Sequence, residues 1–301
     1  MFYKPRPVPI DLIKMRSLHA RMNLTPTERK YYLNREKGFE GEVMFDKLTE
    51  KLESDCLILN DLLFELNNTE FQIDTTIIFQ NTISLFDVKN YVGDYYMTAD
   101  RLYTKSDEEI SNPLLQLERS QSLFRQLFKS IGYQMPVEAS VVFINPEFTL
   151  YQTPLDKPII FPTQVKQLMK NLNSVRSKLN DRHTKLAEKL VSLHKTKSRN
   201  SKMPAYEYDQ LEKAILCGSC HSPSITVGEK KIVCGICGAE ESVDSAILRT
   251  VRELMILFPD LKITTNLVQD WCRVIMSKKT IRRVLKENFK AVGDGRWLYF
   301  K

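Results

Sequence analysis

Two Cys-x-x-Cys pairs constrain this chain more than any other local feature. They read Cys217-Gly218-Ser219-Cys220 and Cys234-Gly235-Ile236-Cys237, with thirteen residues between them. Two such turns can hold four thiolates tetrahedrally around Zn2+, with Zn–S near ~2.3 Å. Gly218 and Gly235 suit tight turns that aim backbone amides at sulfur. Four sulfurs leave no open coordination position, so the expected zinc is structural. Two disulfides are the competing reading. The N-terminus, MFYKPRPVPIDL, lacks the apolar stretch of an export signal, which argues against them. His221 reads as a surface residue, with substitution for one thiolate as its alternative role. Cys56 and Cys272 have no partner at ligand spacing and read as ordinary buried thiols.

Between the pairs, 225–227 and 230–233 flank Gly228-Glu229, a hairpin signature. The unit 206–240 resembles a zinc ribbon. After it, 245–258, 265–276 and 277–288 read as amphipathic helices, the last capped by Ser277. Gly293-Asp294-Gly295 then turns the chain into 296–300. Three helices and a short hairpin over 241–301 resemble a winged helix-turn-helix. The third helix carries Lys278, Lys279, Arg282, Arg283 and Lys286, candidates for contact with DNA phosphates and base edges. A small helical domain with a solvated basic face is the alternative.

Charge sharpens this division. The 301 residues carry a net charge of +7 with 43 % hydrophobic content, which excludes wholesale disorder and predicts two or three domains. The total conceals segments of opposite sign: +5 over 1–36, −11 over 37–156, +10 over 157–202, −2 over 203–240 and +5 over 241–301. Basic blocks point to a polyanionic partner. An acidic block is either a solvated surface or a set of carboxylates gathered for a metal.

Residues 1–35 read as a leader, extended by Pro5, Pro7 and Pro9 and followed by a short helix over 10–22. Thr25, Pro26 and Glu28 form the signature of a second helix start. Gly38 and Gly41 frame a further helix. Residues 163–196 read as one long helix with an apolar stripe and a basic remainder, inside a segment 161–205 that ends in an exposed linker. This helix is a candidate for packing on the preceding domain or for a homodimer seam, with DNA contact by its Lys and Arg residues as an added role. His183 and His194 on it read as surface residues. No run approaches the roughly 18 apolar residues of a membrane helix, so no membrane association and a cytoplasmic location are expected.

The acidic block reads as α/β: a helix, three strands over 56–63, 71–79 and 82–88, a helix from Pro113 to about Ile131, and a buried strand over 137–144. Asn67-Asn68 and Gln80-Asn81 mark the turns. Side chains alternate along a strand, so Asp87 and Lys89 share one face, and Asp74 can meet Asp87 across the hairpin. Two carboxylates beside a lysine suit Mg2+ with an adjacent cation. Glu42, on the preceding helix, is a third carboxylate. An Asp-x-Lys surface ion pair is the alternative, weakened by the apolar flanks Ile77, Ile78, Phe79, Ile83, Leu85, Phe86 and Val88.

Gly38-Phe39-Glu40-Gly41-Glu42, Gln72-Ile73-Asp74, Phe86-Asp87-Val88-Lys89-Asn90-Tyr91 with Gly93, and Asn112-Pro113 with Gln116 follow one another in the order and spacing of the nuclease-related domain, NERD. The chain resembles this family over roughly 36–150, within a domain drawn at 36–160. The family belongs to the PD-(D/E)xK nuclease superfamily. The resemblance implies a mixed sheet flanked by helices and hydrolysis of phosphodiester bonds, most readily in DNA, with Mg2+ or Mn2+. It implies that Asp74 and Asp87 bind the metal with the help of the Val88 carbonyl, that Lys89 positions the attacking water, that Glu42 is the helix acid and that Gln116 is the glutamine of the later helix. The family often has Glu where this chain has Asp87. A DNA-binding regulator or a scaffold that uses a nuclease fold without catalysis is the alternative function.

Overall fold

The structure, a computed structural model, describes residues 2–99, 101–199, 202–275 and 277–301. Asn200 and Ser201 in the expected linker, and Met276 at the expected end of the second tail helix, lie outside them. The chain divides into two compact units, one formed by Met1–Pro7 and Asn34–Ser201, the other by Val8–Leu33 and Lys202–Lys301.

The chain begins with β1 (Phe2–Lys4), α1 (Ile10–Arg21) and α2 (Pro26–Thr49). Three long strands follow: β2 (Leu57–Leu66), β3 (Thr69–Ile78) and β4 (Ile83–Lys89). After β5 (Gly93–Thr98), β6 (Arg101–Thr104) and β7 (Glu109–Ile110) comes α3 (Pro113–Ser130). The first unit closes with β8 (Val137–Phe143), β9 (Phe148–Tyr151), β10 (Ile159–Ile160), α4 (Val165–Ser174) and α5 (Asp181–Leu193).

The main sheet runs β1-β2-β3-β4-β8-β10. Its centre, β2-β3-β4, is antiparallel, and β1, β8 and β10 join in parallel. Asn67 and Asn68, with φ of 50° and 60°, make the left-handed turn that a tight hairpin between right-twisted strands requires. One face buries Phe64, Phe71 and Leu85 beneath Phe124 and Phe128 of α3. The other buries Ile77, Phe86 and Val142 beneath Phe45 of α2. A smaller sheet, β7-β6-β5-β9, has its own apolar cluster around Met97, Leu102 and Phe148.

Two expectations about helices need correction. Gly38 and Gly41 do not frame a helix start; α2 begins at Pro26 and runs through both. Its capping box is the predicted one, with the Thr25 N–H donating to Glu28 Oε2 at 2.8 Å and the Glu28 N–H to Thr25 Oγ1 at 3.3 Å. Gly41 serves packing, since a Cβ there would lie 2.5 Å from Asn90 Cβ.

The long helix over 163–196 is two helices. The apolar residues of α4, Val165 and Leu172, join the α2 face of the sheet, whereas Leu186, Ala187 and Leu190 of α5 join the α3 face. Side-chain hydrogen bonds made outside the helix hold the break. The Gln80 N–H donates to Ser177 Oγ, Gln80 Oε1 accepts the Lys178 N–H, and Asp55 accepts the Leu179 N–H. Asn180 then caps α5. The two histidines are engaged rather than superficial: His183 Nε2 lies 3.0 Å from Gln80 O, and His194 Nδ1 accepts the Leu63 N–H.

The second unit contains α1 and the C-terminal elements. These are β11 (Ile225–Val227), β12 (Lys231–Cys234), β13 (Glu240–Ser242), α6 (Val243–Leu257), α7 (Thr265–Cys272), α8 (Lys278–Asn288), β14 (Ala291–Val292) and β15 (Tyr299–Phe300). The expected hairpin gains a third strand, β13, and β14 pairs antiparallel with β15. Residues 8–33 therefore do not behave as a leader to the neighbouring domain. Leu18 is buried with Ile247, Val251, Leu254 and Trp271. Arg21 donates to both carboxylate oxygens of Glu253, at 2.9 and 2.7 Å, and to the carbonyls of Glu212 and Ala214. Its guanidinium lies 4.4 Å from the centre of the Trp271 ring. The sequence marks a short helix over 10–22, but not its buried face or its partner. Among the described residues, no helix is long and apolar enough to cross a membrane.

Candidate functional site

The acidic site forms where β3 and β4 part. Their last paired residues at this end are Thr75 and Phe86. One step further, Asp74 and Asp87 no longer pair through the backbone, and Asp74 Oδ2 accepts the Val88 N–H at 2.8 Å. Asp87 and Lys89 project from the same face of β4, as the period of two requires. Lys89 Nζ donates to Asp87 Oδ1 at 2.8 Å and to Gln116 Oε1 at 3.3 Å. Gln116 is delivered by the first turns of α3. That helix starts where Asn112 and Pro113 predict, with Asn112 Oδ1 accepting the Leu114 N–H.

Glu42 lies at the site as well. α2 brings Glu42 to the site, and Asn90, just past β4, ties that helix down by donating from Nδ2 to Lys37 O at 2.7 Å. Asp74, Asp87, Lys89, Glu42 and Gln116 thus belong to one constellation.

Two residues escaped the sequence reading. Asp46, one helical turn beyond Glu42, shares its face, a spacing that could have marked it. Arg6, between Pro5 and Pro7, reaches both acids. It donates to Glu42 Oε2 at 2.6 Å, to Asp46 Oδ2 at 2.9 Å and to Asp74 O at 2.7 Å.

Burial and neighbouring charge set the electrostatics of the site. Burial pushes the Asp87 carboxyl up to about 7; Lys89 pulls it down, and Asp74 pushes it further up. Burial, with Asp74 beside it, pushes Glu42 up to about 8 against the pull of Arg6. Burial also disfavours the Lys89 ammonium, but Asp87 and Asp74 outweigh it and hold its pKa above the ordinary lysine value. Asp87 Oδ2 is buried with no hydrogen-bond partner among the described residues. A buried carboxylate oxygen in that state is costly unless a proton or a metal meets it. The donor set is all oxygen, which suits a hard divalent cation. The residues present therefore fit the metal that the family resemblance implies.

The cysteine site is distinct and closed. Cys217, Cys220, Cys234 and Cys237 bring their sulfurs within 4.8 Å of one another. Cys217 and Cys237 are 3.6 Å apart and Cys220 and Cys234 3.5 Å. The Ser219 N–H donates to Cys217 Sγ and the Ile236 N–H to Cys234 Sγ, the turn geometry expected of each Cys-x-x-Cys. Backbone N–H donors at Cys237 and Ile236 pull the Cys234 thiol down to about 6. The Ser222 N–H favours the Cys220 thiolate too, but burial and the neighbouring sulfurs outweigh it and push Cys220 up to about 12. His221 is not among the clustered groups.

On α8, Lys278, Lys279, Arg282, Arg283 and Lys286 are all exposed. They line a groove of about 870 Å³ together with Thr264, Thr265, Asn266 and Gly295. Arg283 is already engaged, bidentate with Asp244 at 2.6 and 2.8 Å and 3.1 Å from Glu287.

No curated protein and no solved structure matches the chain. Residues 37–144, which hold Glu42, Asp74, Asp87, Lys89 and Gln116, match the family model described as NERD, nuclease-related domain.

Proposed function

We propose that the first unit hydrolyses DNA phosphodiester bonds with a divalent metal, and that the second unit, with a structural zinc, brings it to DNA. The observation that carries the reading is the meeting of Asp74, Asp87 and Lys89 around a buried carboxylate oxygen without a partner. Asp74 and Asp87 would hold Mg2+ or Mn2+, which when bound polarises a phosphoryl oxygen and acidifies water. Lys89, held by Asp87 and Gln116, orients the attacking water and offsets the charge that grows on the phosphoryl oxygens. Gln116 keeps the ammonium from collapsing onto Asp87 alone.

The second unit supplies positive charge that the first lacks. Three helices followed by the β14–β15 pair support a winged-helix reading, with Lys278, Lys279, Arg282 and Lys286 meeting phosphates. Arg283 acts instead as a strut between α6 and α8. The alternative is a DNA-binding regulator without catalysis, favoured by the ion pair that already ties Lys89 to Asp87.

One assay separates the two. With Mg2+ or Mn2+, the purified protein cleaves DNA, and Lys89→Ala lowers cleavage at least about a hundredfold while leaving DNA binding intact. Equal residual cleavage in Lys89→Ala would identify a contaminant and remove the catalytic reading. In the same preparation, Lys278→Ala, Lys279→Ala and Arg282→Ala each weaken DNA binding and reduce its salt slope by about 1. Unchanged affinity in all three would remove the DNA-contact reading of α8.

A further inference from the structure

Arg6 is a buried cation of the acidic site. Its side chain is 2 % exposed. The short strand β1 pairs with β2, and Lys4 Nζ donates to the carbonyls of Asn60 and Asp61, so the chain is fastened just before Arg6. Pro5 and Pro7 restrict the backbone on either side of it. The guanidinium is thereby delivered between α2 and the end of β3. It grips Asp46 with two nitrogens, at 2.9 and 3.2 Å, Glu42 with a third contact at 2.6 Å, and the Asp74 carbonyl at 2.7 Å. Bidentate arginine–carboxylate pairs are both strong and directional.

The site thus has two halves. On the strand side, Asp74 and Asp87 face Lys89. On the helix side, Glu42 and Asp46 face Arg6. Each half holds two carboxylates and one fixed cation, so the formal charge of the whole is −2, which one divalent cation cancels. The orphaned oxygen lies on the strand side alone. A second divalent cation between Glu42 and Asp74 would have to share that space with a guanidinium already bonded to both residues.

We propose that Arg6 is a resident cation that takes the place of a second metal, so that the site binds a single divalent ion, at Asp74 and Asp87. Arg6 is then a positioning residue: it reserves Glu42 and Asp46 for itself and leaves the strand carboxylates to the metal. This rests on the reading of Asp74 and Asp87 as metal ligands.

The test counts Mn2+ on the full, zinc-loaded chain by calorimetry and by loss of the free-ion EPR signal, at concentrations where Asp87→Asn binds none. The wild type takes up one Mn2+, Arg6→Lys also one, and Arg6→Met two, the second lost again in Arg6→Met/Glu42→Gln. Two ions on the wild type overturn the proposal whether or not any variant folds, and so does one ion on a folded Arg6→Met. No ion on the wild type overturns the metal-site reading itself.

Discussion

The two units treat buried charge in opposite ways. In the second, it is matched and used for construction: Arg21 meets Glu253, two carbonyls and the Trp271 ring, and the four sulfurs converge on one point. In the first, carboxylates outnumber cations around Lys89 and Arg6, and one oxygen of Asp87 has no hydrogen-bond partner among the described residues. A completed network stabilises a fold, and an incomplete one binds. Strain of this kind is tolerated where something else is to be recruited.

Removing metal should break this contrast most visibly. Both tryptophans of the chain lie in the second unit, so their fluorescence follows that unit alone. Stripping zinc with a strong chelator, or Cys234→Ser, should unfold the ribbon, with a loss on the order of 10 kcal/mol of binding free energy. Mild chelation of the divalent ion should leave the fluorescence unchanged and stop cleavage only. Metal analysis checks the premise, about one zinc per chain; none would leave the four-sulfur site without its ion.

Arg21→Met should cost about 3–5 kcal/mol, because it strands the Glu253 carboxylate in the interior. The tryptophan-detected melting temperature reads this directly, and a shift within error would show that the pair contributes nothing. Asp87→Asn should do the reverse. In metal-free protein it relieves surplus negative charge and stabilises the first unit by about 1–2 kcal/mol. The sign follows from linkage. Asp87 titrates at about 7 when folded and near ~4 when unfolded, so its ionisation weakens the metal-free fold as pH rises through that window. Hydrogen exchange of β3 and β4 between those pH values should show the slope in the wild type and its reduction in Asp87→Asn. Equal slopes would mean that Asp87 is already neutralised within the site.

The ease of reading these sites from sequence tracks how local they are. Cys217 to Cys237 declare their geometry within one short stretch. Asp74, Asp87 and Lys89 were legible because alternation along paired strands fixes which side chains meet. Arg6 and Asp46 were not, because nothing local in KPRP indicates that a helix and a distant strand end will close around it. The break between α4 and α5 was hidden for a related reason. The apolar stripe continues through 175–180, and the groups that hold an extended backbone there, Ser54, Asp55 and Gln80, lie far upstream. Arg21 was the least legible, since its acid partner lies 232 residues further on.

That last separation has a consequence for how the protein is made. Leu18 and Arg21 leave the ribosome more than 200 residues ahead of Glu253 and Trp271. The first unit can complete itself while synthesis continues. Helix α1 has to wait, its apolar side uncovered, until α6 and α7 have emerged. A fragment beginning at Lys202 would emerge without the helix that completes its core.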